Sequence, residues 1–326
     1  MNDPDPLAAR ALLVRQVRLE ATGVVSLTLT DPAGGRLPPW TPGAHIDLTL
    51  PSGTVRQYSL CGPLDDPYSY TVAVLREQNG RGGSAEVHGT ALVGRTVRIR
   101  GPRNHFALVE APHYLLLAGG IGITPILAMV RRLVADGASW ELHYGGRTRA
   151  GMAFTGTLAT LGAGRVHVVP QDEHGILPVP SLVGAAPPGA AVYCCGPEGM
   201  VRAVTEACAL AAPGALHIER FGAPPGVSTA APGPPAGAGG FKVELRRSGL
   251  TLDVPPDRTL LDVAREVVPD VGFSCEEGYC GSCETKVLGG VPEHHDTVLS
   301  AEERERGDTM MICVGRSASR LLTLDL

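Results

Sequence analysis

The chain has 326 residues, a net charge of −5, 42 glycines and 28 prolines, so it is long enough for two or three domains with proper cores and lacks the basic excess that nucleic-acid binding requires. The opening run Met1-Asn2-Asp3-Pro4-Asp5-Pro6 is acidic and polar and no apolar stretch approaches membrane-spanning length, so neither a signal peptide nor a membrane anchor is expected. Eight cysteines, half of them in one spaced pattern, suit a reducing compartment better than a disulfide scaffold, and a cytoplasmic protein is expected.

Residues 11 to 105 carry short alternating runs broken by Gly and Pro, among them 24–29, 46–50, 70–75 and 96–99. Many short strands at such spacing predict an antiparallel β-barrel over 1–108. Within it, Arg56-Gln57-Tyr58-Ser59 places Arg56 and Tyr58 on one face of a strand, a cation beside a ring. Such a pair could bind a phosphate and cover a flat heterocycle, although by themselves these residues read more readily as a surface Arg next to a half-buried Tyr. Downstream, Arg81-Gly82-Gly83-Ser84 is a glycine-rich turn running into a helix, with Ser84 expected at the N-cap. Backbone N–H groups, the Ser84 hydroxyl and Arg81 could converge there on a phosphate, although a plain capped helix would read the same way.

From 109 to 224 the pattern changes to strands alternating with helices, which predicts a parallel α/β sheet. The strands fall at 114–118, 140–144, 166–169, 191–195 and 216–218. After the first comes Gly119-Gly120-Ile121-Gly122-Ile123-Thr124-Pro125, a glycine turn entering a helix with Thr124 expected at the cap and Pro125 at the first position. That helix should bury Ile126, Leu127, Met129, Val130, Leu133 and Val134 and stop at Gly137. A strand, glycine turn and helix of this kind seats a pyrophosphate. Cys195-Gly196-Pro197 ends a later strand at the carboxyl edge, where open α/β sheets bind ligands, although a lone Cys195 could also be a core thiol. Residues 225–239, almost wholly small residues and Pro, read as a linker.

In 240–326, Phe241-Lys242-Val243-Glu244-Leu245 and Leu250-Thr251-Leu252-Asp253-Val254 predict a hairpin, a helix is expected over 260–267, and Ser300 to Glu303 predicts a capping box. Between these, Cys275, Cys280 and Cys283 are spaced C-x₄-C-x₂-C, with Cys313 thirty positions on. This is the plant-type pattern of four thiolates around a 2Fe-2S cluster. Gly278 and Gly281 let the loop turn and bring N–H groups to the sulfurs. Zinc knuckles, disulfides and scattered core thiols are the other uses of cysteine; zinc sites favour a second matched pair, which the chain lacks.

Taken in this order, the motifs resemble the phthalate dioxygenase reductase family, which includes vanillate O-demethylase reductase components. The resemblance covers nearly the whole chain and implies an FMN-binding barrel, an α/β ferredoxin-reductase nucleotide domain and a C-terminal α+β plant-type ferredoxin (β-grasp) domain. It implies that Arg56, Tyr58 and Ser59 belong to an R-x-Y-S flavin motif and Arg81 to Ser84 to its phosphate turn. It implies also that Gly119, Gly120, Gly122, Thr124 and Pro125 bind the pyridine nucleotide, and that Cys195, Gly196, Pro197, Glu219 and Phe221 lie beside the nicotinamide and flavin. Cys275, Cys280, Cys283 and Cys313 become the cluster ligands. R-x-Y-S also occurs in FAD-dependent relatives; the R-G-G-S turn and the ferredoxin domain placed last favour FMN.

A nicotinamide gives two electrons and an iron–sulfur cluster takes one, and a flavin between them manages both. The resemblance implies a monomeric NADH-dependent reductase with catalytic roles for Ser59, Cys195 and Glu219, serving a Rieske-type terminal oxygenase. A reductase for a haem monooxygenase would carry the same domains, and an iron–sulfur redox sensor would need no flavin or nucleotide site. Arg147 and Arg149, after the second strand of the sheet, stand where a 2′-phosphate would be read and leave NADPH open beside NADH. His294 and His295 are expected to be structural.

Overall fold

The computed structural model describes residues 9–78, 82–222, 240–268, 271–273, 275–279 and 281–326. Arg81, Cys280 and the expected linker 225–239 lie outside them. Two compact units form, Met1–Arg220 and Phe221–Leu326.

The first unit begins with six antiparallel strands, β1 (Arg10–Ala21), β2 (Val24–Thr30), β3 (Ala44–Thr49), β4 (Val55–Ser59), β5 (Ser69–Leu75) and β6 (Thr96–Asn104), with helix α1 (Gly83–Gly89) between the last two. They lie in the order β4-β3-β6-β1-β2-β5. A bridge between Leu60 and Val72 links the end of β4 back to β5, so the sheet closes. Alternation fills its interior with Leu12, Val14, Leu27, Leu29, Ile46, Leu48, Val72 and Ile99.

The same unit continues as β7 (Tyr114–Gly119), α2 (Ile123–Ala135), β8 (Trp140–Gly146), α3 (Thr155–Leu161), β9 (Val166–Pro170), α4 (Gln171–His174), α5 (Val179–Gly184), β10 (Ala191–Cys195), α6 (Glu198–Ala211) and β11 (Leu216–Glu219). The five strands are parallel in the order β11-β10-β7-β8-β9. β7 is buried on both faces. Leu116 and Ala118 meet α2, and Leu115 and Leu117 meet α5 and α6. Val24, Cys61, Ala73 and Phe106 of the antiparallel part share the α2-side core, so one apolar cluster runs through both sheets of this unit.

In the second unit β12 (Phe241–Leu245) and β13 (Leu250–Val254) form the expected hairpin, followed by α7 (Leu260–Val267), β14 (Glu284–Gly289), β15 (Pro292–Glu293), α8 (Ala301–Arg306), β16 (Thr309–Met311), β17 (Arg316–Ser317) and β18 (Leu321–Leu324). The main sheet runs β13-β12-β18-β14-β16, with β18 parallel to β12, and α7 buries Leu260, Leu261, Val263 and Ala264 against it. Both helices among its described residues are side-chain capped: α7 by Thr259 with Asp262, and α8 by Ser300 with Glu303 as the sequence predicts.

Three expectations about helix detail change. Ser84 is not the cap of α1, which starts at Gly83 with Gly82 in the left-handed region (φ 85°) as its N-cap; the Ser84 hydroxyl instead accepts a hydrogen bond from the Glu77 N–H, 3.0 Å. Thr124 and Pro125 are the second and third residues of α2, because a short 3₁₀ turn over Gly120–Gly122 runs straight into it. Thr124 is diverted to donate to the Ile121 carbonyl, 3.0 Å. Val134 is 39% exposed rather than buried, lying at the rim of the helix face.

Candidate active site

On β4, Arg56 and Tyr58 are level with Leu48 and Ile46 of β3, so both point to the side of the barrel core. Arg56 crosses the α1 turn: a Cβ at Gly83 would fall 2.7 Å from its Cγ and 3.0 Å from its Nε. A guanidinium and a glycine turn from distant parts of the sequence thus occupy one place, a fit for a phosphate group. α1 has seven residues, so the cation rather than a helix dipole dominates there. The Tyr58 ring is half-buried against the barrel core, and burial pushes its hydroxyl up to about 12, so it stays protonated.

Ser59 ends β4 and is buried. Its hydroxyl donates to Glu219 Oε2, 3.3 Å away at the end of β11. Glu219 retains some exposed surface as a residue, but its carboxyl is enclosed, and that burial raises it to about 8, with the Ser59 hydrogen bond pulling the other way. Parallel pairing sets Glu219 level with Cys195, and Cys195 level with Ala118. Burial, with Glu219 next in weight, holds the Cys195 thiol well above its ordinary range, so it remains a neutral thiol.

Three glycines at this carboxyl edge are set by space. A Cβ on Gly122 would lie 2.2 Å from the Cys195 carbonyl oxygen, one on Gly119 2.6 Å from Pro197 Cδ, and one on Gly196 3.0 Å from Gly119 Cα. The β7 turn and the Cys195-Gly196-Pro197 segment therefore interlock backbone to backbone. Gly120 takes a left-handed φ of 56° and Pro197 is the N-cap of α6. Phe221 is 45% exposed and opens the second unit.

The expected 2′-phosphate segment behaves differently. Arg149 donates from Nε and Nη2 to Glu173 at 3.0 and 2.6 Å, so its fork is already engaged. Glu173, just beyond β9 in Gln171-Asp172-Glu173-His174, carries no sequence signal for this role, because only chain folding brings it beside Arg149.

In the second unit Cys275, Cys283 and Cys313 are all buried. Glu277 N–H donates to Cys275 Sγ at 3.3 Å, the contact a thiolate ligand needs. Glu276, Gly278 and Gly281 have φ of 59°, 73° and 75°, so the loop winds in the left-handed sense. Asp296 fixes the bend that follows it, accepting from the Val298 and Leu299 N–H groups at 3.0 and 2.9 Å, and Thr297 N–H donates to the Gly278 carbonyl, 2.8 Å. These residues fit a four-thiolate cluster, with Cys280 outside the described set. Among the described residues no helix is long and apolar enough to cross a membrane.

Family models match an oxidoreductase NAD-binding domain over residues 116–206 and a 2Fe-2S iron–sulfur cluster binding domain over 243–317. Fold and site thus define an NAD-linked iron–sulfur oxidoreductase. The chain is 45% identical over 328 residues to phenoxybenzoate dioxygenase subunit beta of Ectopseudomonas oleovorans, covering 100% of both. It is 36% identical to a solved phthalate dioxygenase reductase described as modular for electron transfer from pyridine nucleotides to [2Fe-2S], with 98% of each chain covered and a TM-score of 0.70. The chain belongs to the phthalate dioxygenase reductase family, the reductase components of oxygenase systems. An intact type IV self-sufficient cytochrome P450 monooxygenase also matches at 41% identity and a TM-score of 0.86; the chain is covered over 98% and spans 41% of that longer protein.

Proposed function

We propose that this chain is a cytoplasmic, monomeric, NADH-dependent reductase that holds FMN and a 2Fe-2S cluster and delivers single electrons to a Rieske-type oxygenase. FMN, when bound, supplies the conversion between the two-electron chemistry of a nicotinamide and the one-electron chemistry of a cluster. Arg56 and the Gly82-Gly83-Ser84 backbone hold its phosphate, and Tyr58 covers its ring. Gly119, Gly120 and Gly122, with Thr124 and Pro125 behind them, let the pyrophosphate of NADH approach the β7 turn. Cys195, Gly196 and Pro197 shape the nicotinamide pocket, where a neutral thiol supplies bulk without charge. Glu219, protonated near neutrality, keeps charge out of the hydride path, and Ser59 fixes its orientation; Phe221 lies just past that strand. Cys275, Cys280, Cys283 and Cys313 hold the cluster.

The observation that carries this reading is the Ser59–Glu219 hydrogen bond at 3.3 Å. It joins the expected flavin strand to the expected nicotinamide edge within one unit, the closeness that a direct hydride transfer would require. Acid release from purified protein tests the flavin assignment: FMN is expected, and FAD would overturn it. Arg56→Ala should weaken FMN binding by about 10–100-fold, the loss of a charge-assisted contact. The likeness to a self-sufficient P450 supports a second reading, service to a haem monooxygenase. Rates of NADH-driven reduction of a purified Rieske oxygenase and a purified P450 haem domain, side by side, separate the two.

A further inference from the structure

Away from the redox site, the outer strands of the nucleotide sheet gather three metal-ligating side chains. Parallel pairing sets His143 of β8 level with His167 of β9. Period two puts Glu141 on the face of His143, while Leu142 and Tyr144 point to the core on the other side. Glu141 Oε1 lies 3.2 Å from His143 Nε2 and 2.8 Å from His167 Nε2, and the imidazoles stack at 4.6 Å and 14°. All three donor atoms fall within 4.8 Å of one another. Ligands bound to one ion at about 2.0–2.2 Å stand roughly 3 Å apart, so the two Glu141 distances already match a shared coordination sphere.

We propose that Glu141, His143 and His167 form a binding site for one divalent late first-row transition ion, with Zn²⁺ the simplest occupant, through Oε1 and the two Nε2 atoms. Two imidazoles and one carboxylate select such ions over Mg²⁺ or Ca²⁺. The Leu117 side of the site is apolar and buried, whereas the His167 and Glu141 side chains are 44% and 41% exposed, which leaves an open side for entry and for a completing water. Burial lowers the proton affinity of His143, with Glu141 acting in the opposite sense, so the ring is available in its neutral form. Each imidazole keeps its one proton on Nδ1, and binding needs no redox partner. The ion clips edge strand β9 to β8, and the site does not depend on the reductase reading.

The test uses full-length protein with flavin and cluster loaded, so that the cluster thiolates are already occupied, titrated calorimetrically with Zn²⁺. One equivalent should bind, with a rise in Tm. Glu141→Gln and His167→Ala should each weaken binding at least tenfold and abolish the Tm rise, with NADH–ferricyanide turnover unchanged. Glu293 and His295, 3.1 Å apart in the other unit, provide the control. Absence of binding, unchanged affinity in His167→Ala, or loss in His295→Ala alone would overturn the proposal.

Discussion

Glycine shapes both the cluster loop and the nucleotide turn, with backbone sense foremost in the first and space foremost in the second. Gly278 and Gly281 are needed for backbone sense, with φ of 73° and 75°. Gly119 and Gly122 have ordinary φ values of −123° and −61°, and are needed because another backbone occupies the space of a Cβ. One region is a local winding of the chain around its ligands. The other is a lock between two turns some 75 residues apart in sequence. The two should therefore fail separately, each leaving the other intact.

The largest separation comes from Cys275→Ser, which puts a hard oxygen in place of a soft iron ligand. Delivery to the oxygenase should fall by more than the roughly 10–100-fold typical of changes around a metal's outer shell, while NADH–ferricyanide turnover persists. Equal loss of both activities would show that the two regions are not separable. Gly122→Ala is the reciprocal change. Its Cβ meets the Cys195 carbonyl, and overpacking of this kind costs about 1–3 kcal/mol. The KM for NADH should rise and Tm fall, with the cluster's visible spectrum unaltered.

Glu219→Gln reads the lock through pH. Because burial raises this carboxyl to about 8, the folded chain holds a proton that the unfolded chain releases from about pH 4.5 upward. Stability should accordingly decline as pH rises through that window and level off above 8. The glutamine variant lacks this contribution, so its Tm advantage should widen between pH 6 and 8; parallel Tm curves would refute the assignment. The smallest effect belongs to Glu173→Gln, which frees Arg149 at the nucleotide edge. NADPH should gain on NADH in kcat/KM by less than about fivefold, the scale of an exposed ion pair.

Much of this was legible in the chain. The strand positions, the hairpin of β12 and β13, α7 at Leu260–Val267 and the Ser300–Glu303 box follow from alternation, turn residues and capping chemistry. The spacing of Cys275, Cys280 and Cys283 is visible because the three are near neighbours, and a 2Fe-2S domain matches over 243–317. Helix starts read less well where glycine turns begin them: Ser84 and Thr124 resemble caps, but each hydroxyl is taken by another backbone group. Register was beyond reach. Periodicity says which face His143 occupies but not that His167 stands level with it, nor that Glu219 pairs with Cys195. The Arg149–Glu173 pair is hidden for the same reason.

The position of β18 bears on how the protein is made. Leu321–Leu324 lies in the middle of its sheet, flanked by β12 and β14 and parallel to the former. All four cysteines precede it in the chain, so on a ribosome the cluster loop emerges before the strand that closes the sheet beneath it. The hairpin of β12 and β13 can form early from local contacts, but β18 pairs with β12 across some 79 residues, the kind of distant pairing that folds slowly. Iron–sulfur assembly on this unit is thus expected to wait for synthesis to pass residue 324, so the cysteines leave the ribosome before the sheet that carries them is complete.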